Sequence, residues 1–161
     1  MARAQKIKIK VKDPKYTPIK AHENDACYDL VARLDHEIDI VPGEITTVDT
    51  GVSLELPDDW EALIRPRSGL ASKVGLTVAN SPGTIDSGYR GEIKVVLSLP
   101  KLIKRNQSFM YPAKNEQSVI IKDGMRIAQI AFRRVPKTSI EIVPELVESE
   151  RGDNGLGSTG V

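Results

Sequence analysis

Apolar and lysine side chains alternate strictly between residues 7 and 12. A period of two is typical of a half-buried β-strand, here with Lys8, Lys10 and Lys12 in water. Such a row of lysines also protects an exposed sheet edge from pairing with another chain. Further short apolar runs predict strands at 27–31, 38–41, 44–49, 51–56, 60–65, 91–99, 118–121, 126–135 and 140–143.

Turn-forming residues separate these runs, for example Pro42-Gly43. Residues 13–26 are polar and are predicted as a loop, and the predicted helix is a single turn over 70–74 that ends at Gly75. Short strands with turns about every 8–12 residues are typical of an all-β sandwich or barrel. We therefore predict one all-β domain.

Residues 79–92 contain two turn signals a few positions apart, Pro82-Gly83 and Ser87-Gly88. The β-prone residues 84–86 lie between them, and a β-rich run follows. This pattern predicts a tight hairpin with Ser87-Gly88 at or near its tip.

The same stretch contains side chains suited to binding a planar heterocycle. The amide of Asn80 both donates and accepts hydrogen bonds, Tyr89 offers a flat face for a sugar, and Asp86 is a base that could activate a water. A purely structural reading, with Asn80 capping a turn and Tyr89 packed, explains this stretch equally well when it is taken alone.

Two other segments have the composition of anion sites. Arg67, Ser68 and Gly69 precede the predicted helix, where free N–H groups favour an anion, although a Ser N-cap beside a surface Arg is common. The glycine-rich run 151–160 resembles a phosphate-cradling loop but lacks the lysine of a P-loop. By composition alone, that run is a frayed tail.

Composition narrows the classes of function. Lys and Arg total 23 against 22 Asp and Glu, for a net charge of +1, so the chain lacks the basic footprint of a protein that coats nucleic acid. No apolar run is long enough to span a membrane, and the N-terminus has no apolar signal core. The single cysteine, Cys27, fits a reducing compartment, and we expect a cytoplasmic protein. Two histidines and one cysteine are too few for a zinc site.

Residues 100–117 form a long, basic and partly aromatic connection between two predicted strands. This length is unusual for a hairpin loop, so the segment is either a functional excursion or a mobile loop. A protein partner that binds this excursion is one of the possibilities.

Five short motifs in one order resemble those of the trimeric dUTPase family (deoxyuridine triphosphate nucleotidohydrolases). The resemblance covers nearly the whole chain, and its specificity lies in the order and spacing of motifs that are individually modest. The motifs are the runs 26–30, 66–71, 80–92, 124–129 and 151–160.

The resemblance implies a jelly-roll-like subunit with one short helix in a homotrimer with three shared active sites. It implies hydrolysis of dUTP to dUMP and pyrophosphate with Mg²⁺, which limits uracil in DNA and supplies dUMP for thymidylate synthesis. It also implies a single domain over 1–161, with a β core over 1–150 that includes the excursion 100–117, and a flexible lid over 151–161.

The resemblance assigns roles to the motif residues. Asp86 is implied to be the base that orients a water onto the α-phosphorus, Tyr89 to lie under the deoxyribose, and Asp29 to reach Mg²⁺ through water. The uracil readers are implied to be Asn80 and the backbone of Gly83, Thr84, Ile85 and Asp86, with Lys94 near the closed end of the pocket. The implied phosphate and lid residues are Arg67, Ser68, Gly69 and Gln129, and, from another subunit, Arg151, Leu156, Gly157, Ser158 and Thr159.

The chain departs from the family pattern at three places. Leu156 stands where the lid usually has Phe over the uracil, Cys27 stands where Gly is usual, and the 100–117 segment is longer than usual. Two alternatives remain open from sequence. One is a dCTP deaminase or bifunctional deaminase–diphosphatase, and the other is a regulatory or interaction protein that uses the same fold.

Overall fold

The structure is a computed structural model that describes residues 5–100 and 118–154. Within these residues the chain folds into strands with a 3₁₀ turn at Pro14–Tyr16 and one α-helix. The strands are β1 (Lys8–Val11), β2 (Tyr28–Val31), β3 (Ile38–Ile40), β4 (Ile45–Asp49), β5 (Val52–Glu55), β6 (Trp60–Pro66), β7 (Thr77–Val78), β8 (Gly83–Ile85), β9 (Lys94–Ser98), β10 (Val119–Ile121) and β11 (Arg126–Arg134), and the helix α1 is Ser68–Val74.

The strands pair into four antiparallel sheets. The largest has the order β2-β11-β6-β8, and a second has the order β4-β9-β7. Two-stranded sheets β1-β5 and β3-β10 complete the set. Most pairs join strands that are distant in sequence, as expected for a jelly-roll-like arrangement rather than a meander.

Aliphatic side chains from the two larger sheets form one core. Leu30 and Ile130 from the four-stranded sheet pack in the same cluster as Val48, Val95 and Leu97 from the three-stranded sheet, and all five are almost fully buried. Because aromatics make up only 4% of the chain, this core depends on Ile, Leu and Val. Among the described residues, no helix is long and apolar enough to cross a bilayer.

Sequence patterning predicted most elements to within a few residues, including the helix that ends at Gly75. One predicted strand and one predicted strand pairing are wrong. Residues 140–143 form no strand, and the side chains of Ile140 and Ile142 are 96% and 95% exposed. An extended apolar segment needs a partner strand, and none lies beside it among the described residues of this chain. Residues 101–117 of the predicted excursion lie outside the described residues.

The predicted hairpin at 79–92 is the second error. The turn at Ser87-Gly88 is present, but the strands before and after it pair in different sheets, β8 with β6 and β9 with β4 and β7. The turn therefore bridges two sheets. A local pattern of two β-prone runs around a turn does not reveal this, because it cannot distinguish pairing with each other from pairing with distant strands.

Asp123 ties the loop at residues 13–16 to the turn between β10 and β11. Its carboxylate accepts hydrogen bonds from Lys15 Nζ at 2.8 Å, Tyr16 Oη at 3.0 Å and the Leu34 backbone N–H at 3.0 Å. The Lys15 hydrogen bond, with those from Leu34 and Tyr16, lowers the pKa of Asp123 from 3.8 to about 2.

Replacing Asp123 by asparagine is expected to lower the free energy of unfolding by about 1–2 kcal/mol at neutral pH, because three hydrogen bonds lose their charged acceptor. A carboxylate with a depressed folded pKa stabilises fully above its unfolded value of 3.8, and that contribution is lost as the pH falls toward about 2. The difference between wild type and Asp123→Asn in urea unfolding should therefore shrink across this window. Asp39→Asn, at an exposed position on β3, is the control. A difference independent of pH would contradict the assignment.

Candidate active site

The turn after β8 borders a small, half-open pocket. Thr84, Ile85, Asp86, Tyr89 and Lys94 line a cavity of about 200 Å³. Ligand pockets typically measure about 300–1,000 Å³, so this cavity fits one part of a ligand, such as a single ring. The Tyr89 backbone N–H closes the turn by donating to the Asp86 carbonyl oxygen at 3.1 Å. Asp86 is exposed to solvent, so a water can reach its carboxylate. We call this feature the Asp86 pocket.

The ring of Tyr89 lies against the backbone of the residues that follow the turn, Gly91 and Glu92. Its Oη donates to the backbone carbonyl of Glu92 at 3.0 Å. A Cβ at position 91 would lie 2.4 Å from that Oη, so only glycine at Gly91 leaves room for the ring. The sequence run Tyr89-Arg90-Gly91 therefore determines where the flat face of the tyrosine lies.

Asn80 lies beside the first residue of β8. A Cβ at Gly83 would approach Asn80 Nδ2 to 3.1 Å, so the absence of a side chain at Gly83 lets the amide sit close to the strand backbone. The intervening Ser81–Pro82 peptide bond is cis. Asn80 is exposed and Gly83 is buried. The amide and the β8 backbone thus present donors and acceptors in one region.

Lys94, at the edge of the Asp86 pocket, is paired with Asp49 on β4. The Lys94 Nζ contacts Asp49 Oδ1. This hydrogen bond, with the coulombic attraction of the same carboxylate, raises the pKa of Lys94 above its ordinary value of 10.5. The side chain is therefore an ammonium donor at neutral pH.

A second group of polar side chains surrounds Asp29, which is only 6% exposed. Its Oδ1 accepts from Arg67 Nε at 3.0 Å and Gln129 Nε2 at 3.4 Å, and its Oδ2 accepts from Arg126 Nη1 at 3.3 Å. We call Asp29, Arg67, Arg126 and Gln129 the Asp29 cluster. With two arginines and one carboxylate it has a net positive charge, which favours an anionic ligand.

A β-bulge brings Arg126 into this cluster. Side chains three positions apart in a regular strand point to opposite faces, yet Arg126 and Gln129 both reach Asp29. The register of β11 against β2 shifts between Arg126 and Ala128, which re-aims the arginine. Arg126 was not among the site residues predicted from sequence, because a strand of period two places its side chain on the face opposite to Gln129 unless the bulge is known.

Ser68 and Gly69 are exposed at the start of α1, next to Arg67. Arg67 is the residue before the helix, and its carbonyl oxygen accepts from the backbone N–H groups of Leu70 and Ala71. Its side chain caps nothing and extends to Asp29 instead. The structure therefore brings together Arg67, Asp29 and Gln129, three residues to which the family resemblance assigned roles at the phosphates and Mg²⁺.

The Asp29 cluster fits a magnesium ion only in part. In the described part of the chain, no group of three or more His, Cys, Asp or Glu side chains could hold a metal. Both Asp29 oxygens already accept hydrogen bonds. Mg²⁺ commonly keeps several waters and is bound through one or two carboxylates plus substrate phosphates, and one carboxylate beside an anion site suits that mode.

Within one chain, the Asp86 pocket and the Asp29 cluster lie at opposite ends of β6. β8 is antiparallel to β6 with Ile85 opposite Ala62, so Asp86 lies beyond that end of the pairing. Arg67 follows the other end of β6. The backbones of Asp86 and Arg67 are thus offset by about six residues along the direction of β6, or about 20 Å at about 3.3 Å per residue.

The predicted lid lies mostly outside the described residues, since Leu156, Gly157, Ser158 and Thr159 all fall there. Arg151 is described. It is exposed in a turn, and its Nε donates to the Asn154 carbonyl oxygen at 2.9 Å. It contacts neither the Asp86 pocket nor the Asp29 cluster through any hydrogen bond of the described residues.

Comparison with known proteins assigns the family. The sequence model of the dUTPase family matches residues 13–160. This chain belongs to the dUTPase family. Over 155 residues it is 46% identical to the deoxyuridine 5'-triphosphate nucleotidohydrolase of Clostridium tetani, covering 96% of this chain and 95% of that protein.

Solved dUTPase structures share the fold. A mutant of the Staphylococcus bacteriophage 80alpha dUTPase with dUpNHpp superposes with a TM-score of 0.80 at 25% identity, covering 98% of this chain and 100% of that one. A mutant dUTPase of phage phi11 of S. aureus, described for its coordination of a structural Mg(II) ion, has a TM-score of 0.71 at 20% identity, covering 88% and 98%. These findings confirm the resemblance and the β-rich dUTPase fold that the five motifs predicted.

Proposed function

We propose that this chain hydrolyses dUTP to dUMP and pyrophosphate by attack of water on the α-phosphorus. The observation that supports it best is the Asp86 pocket, a ring-sized cavity with an exposed carboxylate at its rim, on a chain of the dUTPase family. Asp86 is the proposed base that takes a proton from the attacking water, a role that requires only hydrogen-bond reach of that water. The reaction fits a cytoplasmic enzyme with a single cysteine.

Uracil is the proposed occupant of the pocket. Its acceptor–donor–acceptor edge suits the Asn80 amide and the backbone of Gly83, Thr84 and Ile85, with the Lys94 ammonium as a further donor near the closed end. Cytosine presents a different pattern and would leave these groups unpaired, at a cost of about 1–3 kcal/mol for each one. The Tyr89 ring would lie under the deoxyribose and leave no room for a 2′-hydroxyl.

The Asp29 cluster and the residues beside it are the proposed phosphate site. Arg67 and Gln129 would contact phosphate oxygens, and Ser68 and Gly69 would add a hydroxyl and backbone N–H groups. Mg²⁺, chelated by the triphosphate, would be held by Asp29 through water. When bound, the ion would neutralise charge on the phosphates and orient them.

The distance between the two groups favours a site made from more than one chain. A base must come within hydrogen-bond reach of the water it activates, about 2.6–3.2 Å between heavy atoms. Asp86 and the phosphate-binding Arg67 of one chain are separated by about 20 Å along β6, which a site within one chain would have to span. We therefore propose a homotrimer in which the Asp86 pocket of one subunit faces the Asp29 cluster of another. The apolar side chains of Ile140, Ile142, Leu146 and Val147 support assembly, because they are largely exposed against the described residues of their own chain.

The C-terminal segment is the proposed lid. Arg151, Ser158 and Thr159 would contact the triphosphate of a neighbouring subunit, with Gly157 allowing close backbone approach. Leu156 would cover the uracil without the stacking that an aromatic ring provides. Closure of such a lid excludes water from the site and completes the set of charge-neutralising groups.

Pyrophosphate release measured side by side with dUTP, dCTP, dTTP and UTP tests the function. We expect turnover of dUTP to exceed that of each other nucleotide by about 10²-fold or more, because both the base edge and the sugar face are read. Removal of Mg²⁺ by EDTA should abolish most of the dUTP turnover. Ammonia release from dCTP would support the deaminase alternative. If no nucleotide is turned over, the remaining alternative is a regulatory or interaction protein with the same fold.

A further inference from the structure

Arg33, two residues after the end of β2, joins two carboxylates next to the Asp86 pocket. Its Nε donates to Glu92 Oε1 at 2.8 Å, and its Nη2 donates to Asp49 Oδ2 at 2.6 Å. The Arg33 side chain is 25% exposed and the Glu92 side chain 15%. None of these three residues lines the pocket itself.

The Glu92 side of this bridge fixes the tyrosine of the pocket. Glu92 Oε1 also accepts from the Gly51 backbone N–H at 2.7 Å, so its side chain is held from two directions. Burial raises the pKa of Glu92, but the hydrogen bonds from Arg33 and Gly51 outweigh it, and the net shift is downward. The backbone carbonyl of the same residue receives the Tyr89 hydroxyl.

The Asp49 side of the bridge fixes the lysine of the pocket. Asp49 uses one oxygen for Arg33 and the other for the Lys94 ammonium. The backbone N–H of Arg33 also donates to the Asp49 carbonyl oxygen at 2.8 Å, which fixes the two residues relative to each other. One guanidinium is thus connected to both Lys94 and Tyr89.

We propose that Arg33 is a positioning residue that holds Lys94 and Tyr89 in place for the nucleoside, and this inference rests on the proposed function. A planar guanidinium with a fixed fork bridges two carboxylates, which a single ammonium cannot do in the same geometry. Without it, Asp49 keeps the Lys94 ammonium and Glu92 keeps the Gly51 N–H and the Lys12 ammonium at 3.5 Å, but nothing joins the two carboxylates to each other. The lysine and the tyrosine then lose their common support.

The first test compares Arg33→Ala with wild type, using dUTP, UTP and the analogue dUpNHpp. We expect KM for dUTP and Kd for dUpNHpp to rise about tenfold with kcat within about twofold, because binding of the nucleoside is weakened in ground and transition states alike. The ratio of kcat/KM for dUTP to kcat/KM for UTP should fall, because the position of the Tyr89 ring determines whether a 2′-hydroxyl fits. Free guanidinium ion at concentrations far below those that unfold the protein should restore KM, whereas sodium chloride at equal ionic strength should not.

Arg134→Ala is the matched control. Arg134 also donates two hydrogen bonds to one carboxylate, at 3.0 and 2.6 Å from Asp59, but contacts no pocket residue among those described. We expect the KM of Arg134→Ala for dUTP to match that of wild type and to be unchanged by added guanidinium. If Arg33→Ala does not fold, Arg33→Lys, which keeps the positive charge but cannot bridge both carboxylates in the same geometry, should show the same rise in KM.

The outcomes separate this inference from the proposed function. Wild type that does not hydrolyse dUTP would overturn the function. Wild type that does, together with an Arg33→Ala variant whose KM, sugar preference and guanidinium response match those of Arg134→Ala, would overturn the positioning role alone. A fall in kcat with KM and sugar preference unchanged would also overturn it, because loss of active protein produces that result.

Discussion

Replacing Asp86 by asparagine is expected to lower turnover of dUTP by about 10²–10⁴-fold while the nucleotide still binds. The amide has nearly the same shape as the carboxylate but cannot take a proton from water. Asp86 is exposed at the rim of its pocket and forms its turn through backbone atoms, so the substitution should not disturb the fold.

The measurement pairs single-turnover hydrolysis of dUTP with the dissociation constant of dUpNHpp. Asp58→Asn, at an exposed turn position, is the matched control and should keep full activity. Turnover of Asp86→Asn within about twofold of wild type would exclude this residue as the base. A parallel loss of binding would instead assign it to substrate binding.

Mixing two inactive variants is expected to restore activity. Asp86→Asn and Arg67→Gln should each be nearly inactive alone. If the Asp86 pocket of one subunit faces the Asp29 cluster of another, random mixing in equal amounts leaves roughly a quarter of the sites with both native residues. If one chain supplied both groups, every site in the mixture would be defective.

The experiment requires subunit exchange, either by co-expression or by refolding the two variants together. Each variant refolded alone gives the background, and light scattering reports whether the mixture is trimeric. Activity no greater than the sum of the two backgrounds would contradict the shared site. Activity that appears without any oligomer larger than the 17.7 kDa chain would contradict the trimer.

Sequence patterning predicted the local features well. Strict alternation located β1, and Gly75 marked the end of α1, because both depend on residues adjacent in the chain. The family resemblance singled out Asp29, Arg67 and Gln129, and the structure joins these three side chains through hydrogen bonds. These features are determined by side-chain periodicity and by short-range turn chemistry.

The features that sequence missed depend on pairing over long distances. The arms of the 79–92 turn belong to different sheets, and the bulge that re-aims Arg126 arises from the register between β11 and β2. The bridge from Arg33 to Glu92 joins residues 59 positions apart. No local pattern encodes such a contact, because an isolated arginine in a sequence has no visible partner.

The pairing of β2 with β11 delays folding during synthesis. Tyr28–Val31 leaves the ribosome about a hundred residues before Arg126–Arg134, which at about 5–20 residues per second is a wait of roughly 5–20 s. During that time the apolar side chains of β2 and β6 have no central strand between them. A nascent chain of this protein is therefore exposed to aggregation and to chaperones until β11 has been made.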